Sequence, residues 1–78
     1  MADMQAIAEA VFQQIQAAGA QALKEGTFIF LPQYLDAAEI ESLAMTLYLR
    51  SRTRYEITHH LGEPRIWLRL KPGERALW

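Results

Sequence analysis

The 78-residue sequence has no cysteine, only four glycines and three prolines, two serines, two histidines and no long apolar run. Each scarcity removes a class of answer. Without cysteine there is no disulfide framework and no thiolate to act as nucleophile or metal ligand, and zero cysteine agrees with a reducing compartment. The glycines stand singly, at 19, 26, 62 and 73, so no glycine-rich loop can wrap a phosphate. No apolar stretch approaches the ~20 residues of a membrane span. Met1–Gln5 lacks the basic region and apolar stretch of a secretory signal. The expectation is therefore a protein without a membrane partner, located in the cytoplasm.

Catalytic groups are equally scarce. A serine nucleophile needs an oriented base, and Ser42 and Ser51 fall in or at the end of a helical pattern with no nucleophile-elbow glycines. His59 and His60 are adjacent on a strand pattern, so they point to opposite faces and cannot share one metal ion without distortion. Glu39 and Glu41, two apart on a helix, face different directions and read as a solvated surface. The expectation is a non-enzyme with no catalytic residue, no metal and no cofactor.

What is present suffices for a fold. The hydrophobic fraction is 51% and the aromatic fraction 10%, enough for one core and far from the composition of a disordered chain. A chain of this length has room for one domain only, and with no disulfide or metal its stability rests on apolar packing, with a homodimer as a further means.

Met4, Ala8, Val11, Ile15, Ala18 and Ala22 form one continuous stripe of helical spacing, widened by Ile7, Phe12 and Leu23. Asp3 reads as its N-cap and Gly26 as its stop, predicting a helix over about residues 4–25. Thr27–Leu31 is β-branched, aromatic and apolar on both faces before Pro32, a strand that reads as the central one. Asp36 with Glu39 is a capping box, flanked by Leu35 and Ile40 as a staple, and opens a second helix over about 37–50. Its core stripe is Ile40, Leu43, Ala44, Leu47 and Tyr48; Met45 and Leu49 lie opposite and either meet the first helix or form an apolar patch open to a partner.

From Thr53 to Lys71 the period becomes two, predicting a hairpin with strands at about 53–60 and 65–71. The implied register sets Ile57 against Leu68, His59 against Ile66, Glu56 against Arg69 and Thr58 against Trp67. Tyr55, Ile57, His59, Ile66, Leu68 and Leu70 share a core face. The other face carries Arg54, Glu56, Thr58, His60, Arg65, Trp67, Arg69 and Lys71. Pro72-Gly73 suits a turn, after which Leu77 and Trp78 are expected to fold back on the core. The fold class is α+β, a small single domain over residues 1–78 in the order α-β-α-β-β. Its three-stranded antiparallel sheet has two helices packed on one face.

Charge is divided along the chain. Residues 1–42 hold Lys24 against six carboxylates, a net of −5, and the remainder holds seven cations against three carboxylates, a net of +4. That polarity suits an acidic partner or a second copy. The strongest functional signal is an alternation on one strand face: Arg65, Trp67 and Arg69, with Arg54 and Lys71 as cross-strand neighbours. Trp and Arg are the residue types enriched in binding hot spots, and an outward Trp on a two-residue period has no evident folding role unless the tail, the first helix or a second copy covers it.

These residues predict a non-catalytic protein-binding module of adaptor or inhibitor type, engaging a protein of acidic or mixed surface. Met45 and Leu49 are the secondary patch. Small phage- or plasmid-encoded antagonists of host proteins are built to this specification, by analogy of class. The alternative is nucleic-acid binding by a domain like a winged helix-turn-helix that lacks its recognition helix. No helix fits between Arg50 and Tyr55, and the isoelectric point near 6.1 disfavours a polyanion partner.

Overall fold

The structure, a computed structural model, describes residues 3–59 and 62–75. The expected tail contacts of Leu77 and Trp78, and the outward placement of His60, lie outside the described residues. The elements follow in the order α1 (Met4–Glu25), β1 (Thr27–Phe30), α2 (Ala37–Ser51), β2 (Tyr55–His59) and β3 (Arg65–Leu70). The fold is α+β: two helices over a three-stranded antiparallel sheet, as the residue periods predict.

Both helices start where short-range chemistry dictates. The Asp3 carboxylate accepts the Ala6 N–H at 3.2 Å, satisfying one of the donors that a first turn leaves unpaired. At α2 the capping box is complete: Glu39 N–H donates to Asp36 Oδ1 at 2.8 Å, and Asp36 N–H donates to Glu39 Oε1 at 3.0 Å. The helix ends on Arg52, in the left-handed conformation at φ 58°, with its N–H on the Tyr48 carbonyl.

The hairpin register is the expected one, with Glu56 opposite Arg69, Ile57 opposite Leu68, Thr58 opposite Trp67 and His59 opposite Ile66. Two expectations fail. The sheet order is β1-β3-β2, so β1 is an edge strand and β3 the centre. The cause is in the sequence of β3: Ile66 and Leu68 are fully buried, and their backbones pair with Ile29 and Thr27, so β3 takes a neighbour on both sides. The second failure is in α1, whose stripe is not continuous. Gly19 adopts φ 85°, ψ 164°, which breaks the helix and redirects its last turn so that Leu23 enters the core.

The core lies between the helices and one sheet face. Val11, Ile15, Leu23, Ile29, Leu43, Leu47, Ile66 and Leu68 have at most 1% exposure, and Met4, Ile40, Ile57 and Leu70 pack around them. α1 packs on β1, β3 and α2, while α2 packs on β2. Arg50 of α2 ties the helices together: its guanidinium sits 4.5 Å from the Phe12 ring centroid and pairs with Glu9 of α1. The hydrogen bond and charge of Arg50 hold the Glu9 carboxyl below the usual carboxylate range. Thr53 is buried and satisfied, its hydroxyl shared between the carbonyls of Ser51 and Arg75.

Candidate functional site

Both helices cover one face of the sheet, so the opposite face is built from the alternate residues of each strand. β1 places Phe28 opposite Trp67 and Phe30 opposite Arg65; β2 places Glu56 opposite Arg69 and Thr58 opposite Trp67. Three predicted residues, Arg65, Trp67 and Arg69, are therefore together on this open face. It also carries two aromatics that sequence reasoning did not assign to the site. Phe28 is 37% exposed and Phe30 62%. The signal was present in the apolar character of Thr27–Leu31 on both faces; taking that strand as central left the second face without a meaning.

Trp67 has a folding role as well. Its indole leans along the sheet onto Gly26, where a Cβ would stand 2.5 Å from Cζ2. The aromatic ring covers the backbone of the glycine that caps α1 just before β1, a space that a side chain there would take from the indole. Gly26 also holds φ 106°, a conformation that side-chain-bearing residues rarely adopt. Phe28 then meets the indole edge to face, centroids 4.9 Å apart at 76°, and the Arg65 guanidinium lies 4.2 Å from the Phe28 centroid. Of the covers that the sequence leaves open for an outward Trp, the end of the first helix is the one observed: Trp67 is half-buried against Gly26, the C-cap of α1.

The arginines on this face are charge-balanced. Arg65 pairs with Glu63, and Arg69 pairs with Glu56, its Nε at 3.1 Å from the carboxylate. These pairs are solvent-accessible and contribute little to stability, but they cancel the field that a basic stripe would project.

Arg54 and Lys71 separate from the other predicted residues. Arg54 precedes β2 and turns towards α2, its guanidinium 5.4 Å from the Tyr48 centroid. Lys71 follows the end of β3, where the Glu74 N–H closes a turn on its carbonyl at 3.0 Å. Together they line a groove of about 370 Å³ with Glu41, Ala44, Met45, Tyr48 and Tyr55. Met45 and Leu49 are exposed at 60% and 59%, so neither meets α1 in the way one expectation held. They also do not share one hollow: Leu49 faces a different one, with Gln5, Thr46 and Arg50.

No protein-family model, no curated protein and no solved structure matches this chain. Among the described residues no group of three or more metal-ligating side chains comes together, and no helix is long and apolar enough to cross a membrane. Burial raises the Tyr55 phenol above its ordinary range, against the lowering effect of hydroxyls from Ser51 and Thr53. Tyr55 is one wall of the groove and belongs to the core by its burial.

Proposed function

We propose that this chain is a non-catalytic protein-binding module, of adaptor or inhibitor type, that docks through the open face of its sheet. The observation that carries the reading is the aromatic cluster on that face: Phe30 largely exposed, beside the Phe28–Trp67 pair, with no helix above them among the described residues. Aromatic anchors held rigid by a sheet are the usual centre of a protein interface, and arginines with their carboxylates are its usual rim. The partner is a protein surface with an apolar centre and mixed charge at its border.

Charge balance favours this reading over nucleic-acid binding. A phosphate backbone is gripped by unpaired cations, and Arg65 and Arg69 each hold a carboxylate. The reading includes a cytoplasmic location, with which the absence of cysteine is compatible.

Affinity capture with tagged wild-type protein and a Phe30→Glu variant, each with and without nuclease, tests the proposal. Phe30→Glu is the cleaner substitution because Phe30 is exposed, whereas Trp67 also supports Gly26. A set of proteins that survives nuclease and is lost with Phe30→Glu supports the reading. Recovery of nucleic acid, or equal capture by both proteins, removes it.

A further inference from the structure

The two edges of the sheet are treated differently. On β1, the Gln14 side chain of α1 acts as a surrogate strand: Phe30 N–H donates to Gln14 Oε1 at 2.8 Å, and Gln14 Nε2 donates to the Phe30 carbonyl at 2.6 Å. On β2 the Lys71 N–H donates to the Arg54 carbonyl, which fixes Arg54, Glu56 and Thr58 as the residues whose backbones face β3. Alternation then turns the N–H and C=O of Ile57 and His59 outward. Neither has a hydrogen-bond partner among the described residues. An unprotected edge is a template for a further strand, and native sheets normally block it.

Above this edge the helix layer is wider than the sheet. Two packed helices make a layer roughly 20 Å wide, and three strands span only about 14 Å. α1 sits over β1 and β3, so the excess overhangs β2, where α2 presents Ala44, Met45 and Tyr48 to the groove. Arg54 and Lys71 stand at the same groove with no carboxylate in ion-pair contact among the described residues, unlike Arg50, Arg65 and Arg69. Two copies joined edge to edge at β2 would bring both overhanging α2 helices into one space.

We propose that the outer edge of β2 and the α2 groove form a second binding site. It takes an extended segment of a partner protein as a fourth strand, with alternate apolar side chains under Met45 and Tyr48 and an acidic residue at Arg54 and Lys71. The backbone bonds supply affinity, and the groove and its cations supply selectivity. This site is separate from the Phe28–Phe30–Trp67 face and stands or falls without it.

The probe is a phage-displayed library of random heptapeptides selected on the immobilised full chain, followed by synthesis of the enriched peptides. The expected consensus alternates apolar residues and carries Asp or Glu towards one end. Such a peptide should slow amide exchange at Ile57 and His59. Its affinity should fall about tenfold on Met45→Ser and on N-methylation of alternate peptide amides, and stay unchanged in Phe30→Glu. Met45 is exposed, so its substitution leaves the fold intact, which circular dichroism checks. The proposal is overturned if no peptide is enriched, if Met45→Ser and N-methylation leave binding unaltered, or if the free protein sediments as a dimer with Ile57 already protected.

Discussion

The β1 and β2 edges enclose the same central strand with similar residues, yet among the described residues one is closed and the other open. At β1 a single glutamine on the neighbouring helix reproduces the donor and acceptor of a missing strand, and the Trp67 ring fills the space that Gly26 leaves. At β2 the helix above packs on the strand, and the backbone of Ile57 and His59 faces outward near a groove whose Arg54 and Lys71 are in no ion pair among the described residues. The contrast shows that an edge is defined by what lies next to it and not by the strand itself.

The largest effect on this contrast should come from Gly26→Ala. The new Cβ would collide with the indole and occupy an unfavourable φ, at a cost of about 2–4 kcal/mol by thermal or chemical denaturation. Tryptophan fluorescence should shift as the ring is displaced; an unaltered melting temperature would mean that the β1 edge does not depend on this seat. Next in size is Gln14→Ala, which removes both bonds to Phe30 and should cost about 1–2 kcal/mol, with faster amide exchange at Phe30. If Phe30 stays protected, the β1 edge is closed by something other than Gln14.

At the β2 side, the sign of the Tyr55 shift predicts an alkaline limit. A phenol whose pKa is raised in the folded state contributes stability that is fully present below the unfolded value, about 10, and is lost as pH rises through the folded value. Melting temperature should therefore decline above about pH 10, and less so in Tyr55→Phe. The smallest effect belongs to the helix clamp between the two sides. Glu9 has a lowered pKa, so the stability from its Arg50 pair is present above the usual carboxylate range and is lost as pH falls through the folded value. Glu9→Gln should flatten that acid slope slightly. A large change would show that the exposed pair matters more than surface ion pairs do.

Local chemistry made much of this readable in advance. Asp3 caps the next turn because its carboxylate reaches N–H groups three residues on, and Asp36 with Glu39 does the same reciprocally; neither depends on distant residues. The hairpin register was legible because the two-residue period gives every side chain a face, and a slip by one would put Ile57 and Leu68 in water. The candidate site was legible only in part. Arg65, Trp67 and Arg69 alternate within one strand, so their common face follows from sequence. Phe28 and Phe30 join them across β1, and Arg54 and Lys71 leave them at strand ends, where the rule of alternation stops.

Sequence alone determined the elements, their caps, the hairpin register and the α+β class, because each is set by residues within a few positions or by a strict period. Only the tertiary structure decided that β3 is central, that Gly19 breaks α1, that Trp67 rests on Gly26 and that, among the described residues, one edge is closed while the other is open. Those outcomes depend on which segments become neighbours. Many apolar surfaces in the chain could satisfy one another, and the choice among them is made by the shape of the whole core.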